Sequence, residues 1–230
     1  MKINADFDKR VIVHSEDLDW VASPMTGVDR RALDRVGDEV ARATTIVRYA
    51  PGSQFSPHVH TGGEEFVVLE GVFQDEHGDF PAGSYIRNPP QSSHTPGSKP
   101  GCVIFVKLWQ FDLQDRTHVR LRTDHMFDVP HRDMPGVAVI PLYRDVNEEV
   151  SMQTWSAHTS VCFDVPSGAE VLVLEGSFEE SGESLRKHSW LRIPVGGKVN
   201  AMAGPQGAKV WIKTGHLVHV ERDINNVNSL

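Results

Sequence analysis

Residues 51–71 read PGSQFSPHVHTGGEEFVVLEG, and residues 83–94 read GSYIRNPPQSSH. Three imidazoles and one carboxylate occur in these two stretches, and together they form a suitable ligand set for a first-row divalent metal ion. The four candidate metal ligands are His58, His60, Glu64 and His94.

The spacing of these residues fits a single metal site on a β-sheet. His58 and His60 point to the same face of an extended strand, because side chains alternate with a period of two. Residues 61–63, TGG, are typical of a turn after which Glu64 can face the same metal ion. His94 then has to come from a strand that is distant in sequence, which requires a sheet that curls over its own interior.

The alternative interpretation is a group of surface histidines beside a turn. That interpretation does not explain why glycines and a proline stand in register around the histidines. These residues are Gly52, Gly71, Gly83 and Pro89. We therefore predict that the four candidate ligands bind one metal ion.

The two stretches resemble the two signature motifs of the cupins. More narrowly, residues 27–111 are similar to the cupin domain of the zinc-dependent anti-sigma factor ChrR. Four segments carry this similarity: residues 48–52, 63–71, 87–90 and 101–109. Gln91 stands where the general cupin motif has a glycine, and Ser98 follows His94 where a late asparagine is usual. Neither departure affects a ligand position.

The resemblance implies an all-β fold in which each unit is a double-stranded β-helix, or jelly-roll, barrel. It also implies that His58, His60, Glu64 and His94 bind zinc. Iron, manganese and nickel remain alternatives, because some cupins of similar appearance are dioxygenases that cleave carbon–carbon bonds in small diketones or hydroxy-ketones.

The chain contains an internal repeat. Residues 171–178, VLVLEGSF, match residues 66–73, FVVLEGVF, at an offset of 105 residues, and this offset recurs downstream. We predict two tandem barrels. The expected parts are an N-terminal extension over residues 1–23, a metal-binding cupin with a linker over 24–132 and a degenerate cupin over 133–230.

The second copy lacks the candidate ligands. Aligned on the first copy, it has apolar residues at all four positions, and these are Phe163, Val165, Ala169 and Val199. Apolar residues suit a core that holds no ion. We therefore expect a metal-free barrel that serves as a structural partner, with an apolar ligand pocket as the alternative.

The composition predicts a folded protein that binds neither nucleic acid nor membranes. Hydrophobic residues make up 39% of the 230 residues, and 14 prolines and 19 glycines suit a turn-rich β protein. The net charge of −8, with acids and bases interspersed, argues against phosphate-backbone binding. No apolar run approaches the roughly 20 residues of a membrane span. The polar N-terminus lacks a signal-peptide core, so we expect a cytoplasmic location.

Two functional classes remain open. A four-coordinate zinc ion closed by protein ligands is structural or serves in sensing, whereas a metal with open positions can bind a small molecule or oxygen. We expect a sensing or small-molecule-binding protein, with a metal-dependent dioxygenase as the alternative. Direct binding of a sigma factor is not expected, because residues 1–23 contain no cysteine and His14 is their only histidine. The resemblance also implies a homodimer.

Several other residues are interpreted as structural. Cys102 and Cys162 lie in apolar runs, where we expect buried, reduced thiols. Glu65 should face away from Glu64 and form a salt bridge or lie at the rim. Residues 75–79, DEHGD, are expected to form a solvated hairpin loop.

Helical periodicity is weak throughout the chain. Residues 29–40 are the best helical candidate, but their match to the second copy favours a strand or loop. His216 and His219 lie in a run that looks extended, which places them on opposite faces and argues against a second metal site. Three polar residues on predicted strands are expected to form pairs with polar neighbours at the surface or to extend their polar ends into solvent. These residues are Tyr85, Arg87 and Lys107.

Overall fold

The computed structural model describes residues 1–229, and over these residues the chain consists mainly of β-strands. The first fourteen strands are β1 (Lys2–Ile3), β2 (Val11–His14), β3 (Val21–Ala22), β4 (Val28–Gly37), β5 (Ala41–Tyr49), β6 (Ser53–Gln54), β7 (His58–His60), β8 (Glu64–Asp75), β9 (Gly78–Pro81), β10 (Ser84–Asn88), β11 (Ser92–His94), β12 (Gly97–Ser98), β13 (Cys102–Leu108) and β14 (Val119–Arg122). The remaining strands are β15 (Val129–Pro130), β16 (Val137–Arg144), β17 (Glu149–Trp155), β18 (Ser160–Val165), β19 (Ala169–Glu180), β20 (Glu183–Arg186), β21 (Ser189–Ile193) and β22 (Gly197–Thr214). The helices are three 3-10 helices (Ser15–Asp17, Thr123–His125 and His216–His219) and the α-helix α1 (Val220–Asn228).

The described chain forms two compact units. The first contains residues 1–5, 19–125 and the described residues from 221 onward, and the second contains residues 6–18 and 126–220. Each unit is an all-β barrel, which confirms the predicted fold class. The domain boundaries predicted at residues 23/24 and 132/133 come from the alignment of the two sequence copies, and they stay predictions.

The first unit is built on an antiparallel sheet with the strand order β1-β4-β5-β13-β8-β10-β14. The short strands β7 and β11 pair with each other, while β9 and β12 pair with β8. Phe66 and Val68 share the parity of Glu64 in β8 and pack in the barrel core with Val47 and Ile104. This arrangement confirms that these two residues face the interior, as the alternation of a strand predicts.

The second unit repeats this arrangement with the strand order β15-β16-β17-β22-β19-β21-β2. Its strands β18 and β20 pair with β22 and β19. The barrel core includes Trp155 and Phe178, whose rings lie 5.1 Å apart, together with Val165 and Val199. Because the strand order matches that of the first unit, the internal repeat is structural as well as sequential.

The two sheets end in equivalent edge strands taken from different parts of the chain. In the first unit β14 pairs with β10, and the Thr123 hydroxyl donates to the Gly83 carbonyl at 2.7 Å. In the second unit β2 pairs with β21, and the Ser15 hydroxyl donates to the His188 carbonyl at 2.8 Å. The N-terminal extension expected from the sequence therefore includes an edge strand of the second unit.

The C-terminal end differs from the expected extended conformation. His216–His219 forms a 3-10 helix, and α1 follows over Val220–Asn228. From residue 221 onward this helix belongs to the first unit, where Asp223 lies 3.7 Å from the buried Nε of Arg42. By contrast, β4 confirms the strand expected near residues 29–40. No helix within residues 1–229 is long and apolar enough to cross a membrane.

Candidate metal centre

Three strands of the first unit bring the four candidate ligands together. His58 in β7 stands directly opposite His94 in β11, so their side chains project to the same face. His60 follows on the same face of β7, and Glu64 begins β8 after the turn at residues 61–63. The predicted strand, turn and returning strand therefore exist as the sequence indicates.

The turn has a specific requirement for glycine. Gly63 has a φ of +79°, a left-handed conformation that favours glycine. A Cβ atom added to Gly62 would lie 2.0 Å from Cδ2 of the Trp109 ring. Both glycines thus allow the chain to pass close to the residues behind it and to return Glu64 to the histidines.

The donor atoms of the four residues are close enough to share one ion. One ring nitrogen from each of His58, His60 and His94 lies within 4.8 Å of the other two. The Nε2 atoms of His60 and His94 are 2.9 Å apart, and Glu64 Oε2 lies 3.4 Å from the first and 3.6 Å from the second. Two ligands bound at about 2.1 Å to one metal are separated by about 3 Å. The residues present therefore fit a divalent metal ion.

Three of the four candidate ligands are oriented by a second contact. Nδ1 of His94 lies 3.3 Å from the carboxylate of Asp75, and Nδ1 of His58 lies 3.1 Å from the Ser56 carbonyl. The Asn88 side-chain amide donates to Glu64 Oε2 at 3.2 Å. Contacts of this kind fix the ring orientation and the tautomer of metal-binding histidines.

Asp75 is a functional candidate that the sequence analysis missed. The hairpin expected at residues 75–79 is present between β8 and β9. The Asp75 side chain, however, is only 1% exposed and faces His94, so it is not part of a solvated loop. Alternation counted from Glu64 would turn Asp75 to the other face, and a β-bulge between Val68 and Glu70 reverses this, so no signal for its role was available in the sequence.

The surroundings shift the pKa values of two histidines in opposite directions. Burial lowers the pKa of His60, and the nearby Glu64 carboxylate offsets this only in part. Burial also disfavours charge on His94, but the hydrogen bond with Asp75 and the charge of Glu64 outweigh it and raise the pKa. A metal ion must displace any proton held by His94, so metal binding is coupled to pH.

The candidate centre faces a cavity of about 310 Å³. His58, His60 and Glu64 line it on one side, while His94 is buried behind them. Most of the remaining wall is apolar or aromatic, and it includes Val28, Val47, Tyr49, Phe55, Ile104 and Trp109. A small molecule in this cavity would reach the candidate metal position directly.

Polar residues on the opposite face of the sheet are buried, contrary to the expected surface positions of Tyr85, Arg87 and Lys107. The Tyr85 hydroxyl donates to the Glu65 carboxylate at 2.6 Å, and the Lys107 ammonium donates to the Thr44 hydroxyl at 2.9 Å. Arg87 pairs with Asp115 and stacks on the Phe111 ring at 4.1 Å. Glu65 thus faces away from the cavity, as predicted, but it is buried and not at the rim.

Comparison with known families agrees with the geometry. Residues 8–112 match the family described as the ChrR Cupin-like domain. The chain has the two-cupin fold, and its residues 8–112 resemble the ChrR cupin. A search of curated protein sequences gives no significant match.

Solved structures with low sequence identity share the cupin architecture. A "putative dioxygenase" from Nostoc punctiforme is 13% identical with a TM-score of 0.74, and the alignment covers 91% of this chain and 84% of that chain. The bacterial pirin YhhW from Escherichia coli, in complex with nickel(II), is 12% identical with a TM-score of 0.63 and coverages of 90% and 98%. A 7S globulin from Momordica charantia is 11% identical with a TM-score of 0.60 and coverages of 89% and 84%. These similarities establish the fold.

The C-terminal cupin has a different chemistry at the equivalent positions. Phe163 stands opposite Val199 in the sheet, just as His58 stands opposite His94. Val165 and Ala169 occupy the places of His60 and Glu64 and are buried in the core. The predicted equivalence of the four positions is therefore reproduced by the strand pairing.

The remaining predicted side chains can also be placed. Cys102 is buried as expected, but Cys162 is exposed, and both are free thiols. The Nε2–H group of His216 donates to the Glu170 carboxylate at 3.0 Å inside the second unit. Glu170 occupies the position of Glu65, so both cupins bury a carboxylate on this face.

Proposed function

We propose that the N-terminal cupin is a metal-dependent enzyme that acts on a small molecule, with a dioxygenase as the reaction type. His58, His60, Glu64 and His94 would hold one divalent metal ion. The observation that carries this proposal is the cavity beside the candidate centre, because a purely structural zinc site is closed by protein ligands. When bound, the metal would supply Lewis-acid or redox chemistry at a position that a small molecule can reach.

The residues of the chain contribute orientation and exclusion of water. Asp75 and Asn88 fix the orientations of His94 and Glu64, and the apolar wall limits the number of water molecules beside the metal position. An apolar wall favours an organic ligand over a hydrated ion.

A zinc-binding sensing protein is the second candidate, and the match of residues 8–112 to the ChrR Cupin-like domain favours it. Zinc is the leading metal under this candidate, whereas iron, manganese or nickel would suit the enzyme. A homodimer and a cytoplasmic location accompany both candidates as predictions from sequence. Neither candidate includes binding of a sigma factor or nucleic acid.

Elemental analysis of protein purified without added metal tests the metal site. We expect about one equivalent of metal in the wild type, almost none in His60→Ala and the wild-type content in His125→Ala, which alters an exposed histidine. Metal retained in His60→Ala would contradict the proposed ligand set.

Oxygen uptake then separates the two candidates. Protein containing iron, manganese or nickel should consume oxygen with at least one member of a panel of small diketones, hydroxy-ketones and carboxylates. Stoichiometric zinc without oxygen uptake for any reconstituted metal would instead favour the sensing protein.

A further inference from the structure

Two arginines lie on the inward-facing positions of β4 in the N-terminal cupin. Arg30 stands opposite Val47 in β5, and Val47 stands opposite Ile104 in β13. Both apolar partners belong to the barrel core, and residues paired across a sheet project to the same face. Arg30 therefore points inward, and it lines the same cavity as the candidate metal ligands.

Arg35 reaches this cavity from the same strand. It lies in a cross-strand row with Ala43, Leu108 and Glu64, on the face that carries the candidate centre. Its guanidinium donates to the backbone carbonyls of the hairpin that follows, including that of Glu39 at 3.3 Å. Both arginines thus line the cavity from β4, which lies three strands away from the Glu64 strand β8 in the same sheet.

No carboxylate lies at ion-pair distance from either arginine in the described chain, although the charge of Asp38 acts on Arg35. Burial and the neighbouring charge of Arg30 lower the pKa of Arg35, and the charge of Asp38 offsets this only in part. The acidic side chains in the cavity wall are Glu64, at the candidate centre, and the exposed Glu39.

The C-terminal cupin provides an internal comparison. Val139 stands opposite Gln153 at the position equivalent to Arg30, so this charge is missing where the candidate ligands are missing. The position equivalent to Arg35 is Arg144, but it stands opposite Glu149 and pairs with its carboxylate at 3.6 Å. Inward-facing arginines without an ion pair therefore occur in the cupin that has the candidate metal ligands. The fold does not require them, because the second cupin lacks them.

We propose that the cavity binds a small monocarboxylate with an apolar body, whose carboxylate is held by Arg30 and Arg35. The orientation of the rest of the molecule toward the metal position rests on the proposed function. Guanidinium groups recognise carboxylates through paired hydrogen bonds, and the apolar and aromatic wall suits a hydrocarbon body. A volume of about 310 Å³ is at the lower end of the range for ligand pockets.

Calorimetric titration tests this proposal with three carboxylates and their neutral amides. The pairs are benzoate and benzamide, phenylacetate and phenylacetamide, and hexanoate and hexanamide. The wild type should bind at least one carboxylate about tenfold more tightly than its amide, because a charge-assisted hydrogen bond contributes that much or more. Arg30→Gln should lose this preference.

Two further variants keep the result interpretable. Arg48→Gln removes an arginine from the outer face of β5, where it pairs with Asp29 at 2.7 Å, and it should retain the preference for the carboxylate. Arg30→Val introduces the residue type that the second cupin has at this position, and it should lose the preference while keeping the wild-type melting temperature.

The outcomes separate this inference from the proposed function, because every titration is run on metal-free and zinc-loaded samples of measured metal content. A carboxylate preference that depends on Arg30 in protein that binds no metal would support the inference and contradict the metal site. Metal binding without any carboxylate preference would overturn the inference alone. Equal losses in Arg30→Gln and Arg48→Gln, or equally tight binding of inorganic phosphate, would also overturn it.

Discussion

Asp75 orients a candidate metal ligand through the far nitrogen of its ring. Its carboxylate lies 3.3 Å from Nδ1 of His94, and removal of such a partner typically reduces metal affinity by about 10–100-fold. We expect Asp75→Asn to weaken metal binding by a factor in this range without unfolding the protein. Competition with a chelator of known affinity, followed at constant pH, measures the change.

The same hairpin offers a matched control for Asp75. Asp79 is exposed and accepts a hydrogen bond from Gln74 at 2.7 Å, with no contact to a candidate ligand. Asp79→Asn should leave metal affinity within about twofold of the wild type. Equal losses in the two variants would show that the hairpin, and not the carboxylate on His94, controls the affinity.

The two cysteines should differ in reactivity although both are free. Burial raises the pKa of Cys102 to about 11, and its side chain is almost inaccessible, whereas Cys162 is exposed. The thiolate is the reactive form, so native protein at pH 8 should be alkylated by iodoacetamide at Cys162 and not at Cys102. Peptide mass spectrometry identifies the labelled residue. Rapid labelling of Cys102 in the Cys162→Ser variant would contradict the buried position.

Sequence patterns predicted the candidate ligands because their spacing maps directly onto strand geometry. His58 and His60 share a face by alternation, and the turn at residues 61–63 returns Glu64 to it. Asp75 could not be assigned in the same way. Its contact with His94 depends on how far β8 extends before it turns, which no local pattern specifies.

At the level of elements, α1 covers a buried charge in the first unit. Arg42 is fully buried in β5, and its Nε lies 3.7 Å from the carboxylate of Asp223 in this helix. Arg42 keeps a second buried partner in Asp34, whose carboxylate lies 3.6 Å from its guanidinium, so loss of Asp223 removes only part of the compensation. We therefore expect Asp223→Ala to lower the free energy of unfolding by about 2 kcal/mol, as measured by urea denaturation.

A neighbouring residue in α1 serves as the control for this helix. Glu221 is exposed, and Glu221→Ala should change the free energy of unfolding by less than about 0.5 kcal/mol. If Asp223→Ala were equally mild, the pairing with Arg42 would contribute little to stability.

Strands were easier to predict than this helix for a physical reason. Strands β8 and β13 contain short apolar runs, residues 66–69 and 102–106, that are rich in β-branched and aromatic residues and bounded by turn residues, which is typical of buried strands. The helix is only nine residues long and buries the polar Asp223 as well as Val227. Val220, Ile224 and Val227 have helical spacing, but three apolar residues are too few to distinguish a helix from the extended run that precedes them.

At the level of the whole molecule, the repeat in sequence is not the same as the compact unit. Residues 11–17 in the second unit are the counterparts of residues 119–125 in the first, and each segment forms an edge strand followed by a 3-10 helix. The sequence predicted two copies because their central strands match closely. The placement of the end segments depends on which sheet edge they pair with, and local sequence does not encode that choice.

This placement makes the N-terminal segment a stabilising part of the second unit. Deletion of residues 1–18 removes β2 from β21 together with the ion pair between Glu16 and His188, at 2.9 Å. Deletion of residues 1–5 removes only β1, which pairs with β4 in the first unit. Amide hydrogen exchange in β21 should accelerate on the order of tenfold in the longer deletion, because the strand becomes an edge, and should not change in the shorter one. Wild-type protection of β21 in both deletions would mean that β2 does not stabilise β21. The N-terminal segment would then behave like an unstructured extension whose loss has no effect on the second unit.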